Sequence, residues 1–241
     1  MTEASPTGIA PKPWGIPAVL LALALPLLLW GSSLGLAIAQ GAPEELSDGE
    51  IVTGLIFTLV LDLVLIGLAA GLSLWRYRLP WAALGLRPFD RGLWWLPLVA
   101  AAVAHVSIIV YTAVLTSVGA DAPEQDIEDL FESRMVLPLA GAVTVLVAPL
   151  AEEIFFRGFV FAGLLRPFGL GGAMVVSGLL FGAFHITGPD TVGLVVPFGA
   201  VGVLLAWLYY RTGSLWPSIG THFIFNLVSF AVLASLAGNG S

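Results

Sequence analysis

Long apolar runs separated by short polar connections make up most of the 241-residue chain. A helix that spans a membrane needs about 20 consecutive apolar residues, because the hydrocarbon layer is about 30 Å thick. Runs of about this length cover residues 16–39, 51–74, 93–118, 137–165, 170–187, 192–210 and 214–236. The pattern therefore predicts an all-α fold, a polytopic transmembrane helical bundle with about seven spans. A turn of only three residues, Gly188 to Asp190, predicts a tight hairpin between the fifth and sixth spans.

Composition supports a membrane protein and excludes other classes. Hydrophobic residues make up 58% of the chain and charged residues 10%, whereas an average soluble domain is about 25% charged. A disordered chain, a nucleic-acid-binding protein and an ordinary soluble enzyme are therefore excluded, and the lipid bilayer is the expected partner. The chain contains no cysteine, so disulfides, thiolate metal sites and cysteine nucleophiles are excluded as well. The sequence assigns no oligomeric state.

The charges of the connections alternate along the chain. Acidic stretches at 42–50 and 121–132 are expected to be solvated loops. The other connections are basic, and their residues are Lys12, Arg76, Arg78, Arg87, Arg91, Arg166 and Arg211. Because cytoplasmic loops carry an excess of Lys and Arg, this alternation predicts a cytoplasmic N-terminus. We expect an integral protein of a bacterial cell membrane.

Ionisable residues inside the predicted spans are the candidates for function, because they are costly at membrane depth. The candidates, with one polar amide, are Asp62, His105, Glu152, Glu153, Arg157, His185, His222 and Asn226. Glu153 and Arg157 are four residues apart and can pair on one helix face. A buried ion pair that fixes helix register would explain these two residues. Glu152 points about 100° away, so its partner must come from another helix.

The remaining candidates occur in two further pairs with helical spacing. Phe181 and His185 share one helix face, and so do His222 and Asn226. Taken alone, each pair is typical of an ordinary contact between helices. Asp62 and His105 are interpreted as structural, with His105 as the partner of Asp62.

Projection along the helices places these groups at one depth. Glu152 and His185 each lie about 16 residues from a turn near 168–169, which is about 24 Å along antiparallel helices. His222 and Asn226 lie about 16 and 22 Å along the last helix, measured from the same side. We therefore expect a carboxylate, two imidazoles, an amide and an Arg–Glu pair in one layer.

Such a layer has the groups needed for the attack of water on a carbonyl. A carboxylate can act as a base towards water, and an imidazole can orient the same water. A second His and an Asn can donate hydrogen bonds to an oxyanion. A zinc route is equally open, with Glu152, His185 and His222 as ligands and one position left for water. The His-Glu-x-x-His signature of common zinc proteases is absent from the sequence.

Three motifs together resemble the CPBP family of CAAX-type intramembrane proteases. They are Glu-Glu-x-x-x-Arg at 152–157, Phe-x-x-x-His at 181–185 and His-x-x-x-Asn at 222–226. The resemblance implies variable N-terminal transmembrane helices over 1–135 and a catalytic core over 136–236, in one integral membrane domain. It also implies an endopeptidase that cuts a membrane-associated protein or peptide, by a metal-dependent or a glutamate-dependent mechanism.

The resemblance further assigns roles to the residues of the motifs. Glu152 would activate water with help from His185, His222 and Asn226 would stabilise the oxyanion, and Glu153 and Arg157 would support the site. Two other functions stay open. A non-catalytic immunity or regulatory partner protein could retain the same fold. A proton-coupled transporter is less favoured, because the two halves show no repeat and the ionisable groups lie in one layer.

Overall fold

The computed structural model describes residues 9, 11–40, 47–120, 131 and 135–239, and the secondary structure of this part is entirely helical. Its α-helices are α1 Ile16–Gln40, α2 Asp48–Ala69, α3 Leu96–Ser117, α4 Leu137–Gly141, α5 Ala148–Glu152, α6 Ala162–Ala183, α7 Val195–Thr212 and α8 Trp216–Asn239. π-Helical segments are Ala70–Trp75, Ala142–Val147 and Glu153–Phe161, and short 3-10 turns are Trp81–Leu84, Arg91–Leu93 and Pro189–Leu194. Most of the predicted acidic loops, at 42–46 and 121–130, lie outside the described residues.

Six helical stretches in the described part are long and apolar enough to cross a membrane. They are Ile16–Leu36, Asp48–Trp75, Arg91–Ser117, Leu137–Ala183, Pro189–Thr212 and Trp216–Ala237. This result confirms the all-α transmembrane bundle, and the predicted count of about seven spans is close. Large apolar side chains such as Leu20, Leu63 and Ile109 are 62%, 59% and 65% exposed. An apolar outer surface of this kind suits lipid rather than water, so the chain is an integral membrane protein.

The difference in span number arises in the stretch Leu137–Ala183, where two predicted spans are joined. Gly169 has a positive φ of 65°, which breaks the helical path and is accessible to glycine without steric cost. The Ser177 hydroxyl donates a hydrogen bond of 3.0 Å to the carbonyl of Phe156, 21 residues earlier. Such a bond requires the chain to fold back, so the predicted spans 137–165 and 170–187 are the two arms of an antiparallel hairpin.

Glycines allow α6 and α7 to pack at very short distance. A Cβ atom added to Gly178 would lie 2.7 Å from the carbonyl oxygen of Gly199, and one added to Gly202 would lie 2.8 Å from Gly178 Cα. The connection between the helices is closed by Thr191, whose hydroxyl accepts from the backbone N–H of Gly188 at 3.0 Å. The predicted hairpin of these helices is therefore confirmed, but its connection runs over residues 184–194 and includes the 3-10 turn Pro189–Leu194, so it is longer than the predicted turn of three residues.

The basic connections meet at one end of the bundle. Lys12 Nζ donates to the carbonyl of Ala83, and Arg87 Nε donates to the carbonyl of Gly213. The Leu215 amide donates to the carbonyl of Gly85 at 2.9 Å. Burial, and secondly the charge of Arg87, lower the pKa of Lys12 to about 8. This arrangement fits the predicted alternation of basic and acidic connections. That the basic end faces the cytoplasm stays a prediction.

An N-terminal tryptophan ties this end of the bundle to the π-helical segment Glu153–Phe161. Trp14 Nε1 donates to the carbonyl of Phe159 at 3.0 Å, and the two rings stack with centroids 5.7 Å apart. The carbonyl of Phe159 also accepts from the backbone N–H of Ala162, so the indole uses the second lone pair of that oxygen. The contact fixes the segment that carries Glu153 and Arg157.

Candidate active site

The segment Glu153–Phe161 is buried along its whole length, and it carries one ion pair. Arg157 Nη1 donates to Glu153 Oε1 at 2.7 Å, and both side chains are fully buried. Arg157 Nη2 also donates to the carbonyl of Gly202 at 3.3 Å, and the guanidinium lies 4.2 Å from the centre of the Phe181 ring. The ion pair predicted from the spacing of these residues is confirmed, and it links the segment to α6 and α7.

Glu153 has a second partner on α8. His222 Nδ1 lies 3.1 Å from Glu153 Oε1, the same oxygen that accepts from Arg157. A carboxylate oxygen paired with a guanidinium is a hydrogen-bond acceptor, so the hydrogen of the imidazole lies on Nδ1. The bond therefore turns the other ring nitrogen, Nε2, away from Glu153.

Glu152 lies on the other side of the same imidazole. Its Oε2 is 3.9 Å from His222 Nε2, and its side chain is 20% exposed, whereas that of Glu153 is fully buried. Oε2 has no hydrogen-bond partner among the described residues. The expectation that the partner of Glu152 comes from another helix is thus met by α8, and of the two neighbouring carboxylates only Glu152 is accessible.

His185 follows the last turn of α6 and faces the same layer. Its Nδ1 lies 2.8 Å from the carbonyl of Phe181, so Nδ1 carries the hydrogen and Nε2 carries the lone pair. The imidazole stacks on Phe198 with ring centroids 4.3 Å apart. The Phe181 ring contacts both imidazoles, with centroids 4.7 Å from His185 and 5.6 Å from His222. Phe181 therefore holds the two histidines at one level.

Asn226 lies one turn beyond His222, and a proline explains its contact. Asn226 Nδ2 donates to the carbonyl of Thr144 at 2.8 Å. In the π-helical segment Ala142–Val147 the Ala148 amide bonds to Val143, five residues back. In the same register Thr144 would accept from residue 149, and Pro149 has no N–H to donate. The amide of Asn226 supplies the missing donor. The hydrogen-bond partner of Asn226, the Thr144 carbonyl, therefore lies outside the carboxylate–imidazole group.

Sequence reasoning missed the backbone partners of the site. Pro149 could have indicated a free carbonyl near Thr144, because a proline inside a helix removes a donor. The carbonyl of Gly202 gave no signal, since its contact with Arg157 depends on how α7 packs. These acceptors orient the motif side chains, and they come from elements that carry no motif.

The predicted pairing of Asp62 with His105 is wrong. His105 Nδ1 bonds to the carbonyl of Ala101 at 2.8 Å, and its Nε2 lies 3.4 Å from the Ser229 hydroxyl. Asp62 is 3% exposed on α2, and its Oδ2 has no hydrogen-bond partner among the described residues. The predicted pairing fails because α2, which carries Asp62, packs against α5 and Glu153–Phe161. Residue spacing within the sequence does not encode which helices are in contact.

The described residues contain no group of three or more His, Asp or Glu side chains arranged to hold a metal ion. Both imidazoles use Nδ1 for hydrogen bonds within the protein. The involvement of zinc stays a prediction, and metal analysis of the purified protein can test it.

The fold and the site together define an integral membrane protein with a buried carboxylate–imidazole centre between its C-terminal helices. Residues 134–228 match the family model described as "Type II CAAX prenyl endopeptidase Rce1-like". The resemblance drawn from the three motifs is confirmed for this part of the chain, which contains all of them.

A curated relative from Bacillus subtilis (strain 168), named "Putative membrane peptidase YdiL", is 30% identical over 112 residues. The match covers 46% of this chain and 43% of YdiL, so the chain spans less than half the length of that relative. No solved structure matches the chain significantly.

Proposed function

We propose that this chain is an intramembrane endopeptidase that hydrolyses a peptide bond of a membrane-associated protein or peptide. The observation that carries the proposal is the contrast between two neighbouring carboxylates in one buried layer. Glu153 is fully buried and bonded to Arg157 and His222 through Oε1, whereas the side chain of Glu152 is 20% exposed and its nearest ionisable neighbour, His222 Nε2, is 3.9 Å away. The match to the Rce1-like family supports the same activity.

In the proposed reaction the carboxylate of Glu152 takes a proton from water, and the water oxygen attacks the carbonyl carbon of the substrate. His185 Nε2, which carries a lone pair, accepts a hydrogen bond from that water. The tetrahedral intermediate collapses when Glu152 returns the proton to the leaving nitrogen, so the C–N bond breaks and a carboxyl group and an amine are released. Glu152 ends the cycle as a carboxylate.

The developing oxyanion needs hydrogen-bond donors, and His222 and Asn226 are the proposed ones. The amide nitrogen of Asn226 has two hydrogens, and the bond to Thr144 uses one of them. His222 already donates from Nδ1 to Glu153. In the proposed scheme its Nε2 also carries a proton, taken up from bulk water before the substrate binds and kept throughout the cycle, so Nε2 donates to the oxyanion. Glu153 and Arg157 hold His222 in place. No step of this scheme is assigned to a metal.

The experiment that tests the proposal compares the termini of membrane proteins in cells that carry the native chain or Glu152→Gln at matched abundance. New termini are expected only with the native chain, because Gln lacks the basic carboxylate. General-base loss of this kind reduces turnover by roughly 10²–10⁴-fold. Glu50→Gln, an identical substitution at an exposed position of α2, is the matched control and should behave as the native chain.

A second function is kept as the alternative outcome of the same experiment. If the native chain and Glu152→Gln give identical termini and the same cellular phenotype, the chain is a non-catalytic partner protein.

The prenyl substrates named by the family description are one substrate class to test, with a farnesylated CAAX peptide as the probe. The cytoplasmic N-terminus and the bacterial membrane are proposed together with this activity.

A further inference from the structure

Trp30 on α1 contacts the chain on both sides of His185. Its Nε1 donates a hydrogen bond of 2.9 Å to the carbonyl of Ile186, the residue after His185. Its ring also lies against Phe184, the residue before His185, with ring centroids 5.8 Å apart. The hydrogen bond joins residues 156 positions apart, so it depends on the packing of α1 against α6. Trp30 belongs to none of the three motifs and lies outside residues 134–228, which match the family model.

His185 depends on such a contact because it lies beyond the regular part of α6. The helix ends at Ala183, and the amide of His185 donates to the carbonyl of Gly182 at 3.1 Å, only three residues earlier. Backbone at a helix end lacks the regular hydrogen-bond ladder that holds the helix interior. The indole of Trp30 therefore gives the backbone next to His185 a fixed point on another helix.

The imidazole of His185 and its backbone are held by different groups. The Phe181 carbonyl, 2.8 Å from Nδ1, and the stack on Phe198 set the rotation of the ring. These two contacts place Nε2 correctly only if the backbone of His185 keeps its position relative to α6 and α7. The bond from Trp30 to Ile186 fixes that position.

We propose that Trp30 is a positioning residue for His185 and thereby for the attacking water. The inference rests on the proposed peptidase function, in which His185 Nε2 accepts a hydrogen bond from that water. Loss of the indole N–H frees the Ile186 carbonyl and lets the backbone next to His185 shift. A misplacement of about 1 Å at a reacting group costs on the order of 10²-fold in rate. The N-terminal helix α1 thus contributes to the site although it carries no motif.

The first test is Trp30→Phe, which removes the indole N–H and keeps an aromatic ring. Its probe is the set of membrane-protein termini that the native chain generates and Glu152→Gln does not. Per folded molecule, Trp30→Phe should generate these termini about 10- to 10²-fold more slowly. Trp207→Phe, at a side chain of α7 that is 42% exposed, is the matched control and should equal the native chain. Benzothienylalanine in place of Trp30 has the same ring shape with sulfur instead of the N–H, so it preserves packing and should also reduce turnover.

The second test observes His185 itself and needs no substrate. The chain has three histidines, so NMR spectra of protein with isotope-labelled histidine, in detergent, contain three sets of ring signals. His185→Gln identifies the set that belongs to His185. Trp30→Phe and the benzothienylalanine variant should shift or broaden the signals of His185 and leave those of His105 and His222 unchanged.

The outcomes separate this inference from the proposed function. If the native chain and Glu152→Gln generate the same termini, the peptidase proposal fails and the role of Trp30 in turnover fails with it. If the native chain is active and the benzothienylalanine variant is equally active, or keeps native His185 signals, only the role of Trp30 is overturned. Changes in the signals of all three histidines would assign Trp30 to the stability of the whole fold and would likewise overturn the inference.

Discussion

Glu152 and Glu153 are neighbours in the chain, yet the structure gives them different physical roles. Glu153 is an acceptor for both Arg157 and His222 and is removed from solvent. Glu152 has one ionisable neighbour at 3.9 Å and a partly exposed side chain. At the residue scale, stability therefore depends on Glu153, and the proposed chemistry depends on Glu152.

Glu153→Gln is expected to destabilise the protein strongly. The substitution leaves Arg157 buried without its counter-charge, and breaking a buried pair costs about 3–5 kcal/mol. Thermal unfolding in detergent and protein abundance in the membrane measure the effect. Glu152→Gln is the matched control and should keep nearly native stability, because Glu152 is 20% exposed and its nearest ionisable neighbour, His222 Nε2, is 3.9 Å away. Equal stability of the two variants would contradict the assigned roles.

At the scale of elements, helix irregularities position the site. The π-helical segment Ala142–Val147 precedes Pro149 and leaves the Thr144 carbonyl for Asn226. A second π-helical segment, Glu153–Phe161, carries the ion pair. π-Helical turns inside α-helices are rare and often occur at functional sites, and here each one turns backbone or side-chain groups towards α8.

Pro149→Ala is expected to lower turnover by about tenfold or more, because an N–H at position 149 competes with Asn226 for the Thr144 carbonyl and misplaces the amide. Turnover of folded protein, with the termini assay described above, measures the change. Pro138→Ala is the control, since a proline in the first turn of α4 replaces an N–H that would have no helical partner.

A double variant tests whether Pro149 affects turnover through the position of Asn226. If Pro149 acts through Asn226, adding Pro149→Ala to Asn226→Ala should cause little further loss, because coupled residues are not additive. Two independent losses that simply add would show that Pro149 affects turnover by another route.

The close contact of α6 and α7 is the second element-scale feature with a testable consequence. Gly178→Ala should destabilise the protein by about 1–3 kcal/mol, because the added Cβ would lie 2.7 Å from the Gly199 carbonyl and force the helices apart. Gly171→Ala on the same helix meets no atom within 4 Å and should leave stability nearly unchanged. Thermal unfolding of both variants provides the comparison, and equal melting temperatures would refute the packing argument.

At the scale of the whole molecule, the basic connections form one end of the bundle, tied by Lys12, Arg87 and the segment around Leu215. The positive-inside rule assigns this end to the cytoplasm. The proposed centre lies below this end, within the C-terminal helices, so the substrate bond must enter the bilayer region to reach Glu152.

Cysteine labelling tests this orientation directly, since the native chain has no cysteine. Arg166→Cys lies at the basic end and Ser117→Cys at the end of α3, and both positions are exposed. A maleimide that does not cross membranes should label Ser117→Cys in intact cells and Arg166→Cys only after permeabilisation. The reverse pattern would invert the topology.

The sequence by itself determined the class of fold and the members of the motif layer. Apolar run lengths are set by bilayer thickness, so the spans could be located without tertiary information. Ionisable residues are so costly in these runs that the candidates were few, and helical spacing paired Glu153 with Arg157 correctly. These features depend on local composition and periodicity.

Only the tertiary structure decided which groups from different helices meet. It bonded His222 to Glu153 and placed Asn226 on the Thr144 carbonyl. It gave His105 the Ala101 carbonyl and the Ser229 hydroxyl as partners, in place of Asp62. It also folded residues 137–183 back at Gly169 and joined α6 to α7 through glycines. The physical reason is that helix rotation and crossing depend on the packing of whole surfaces, and spacing within one helix carries no information about the face of its neighbour.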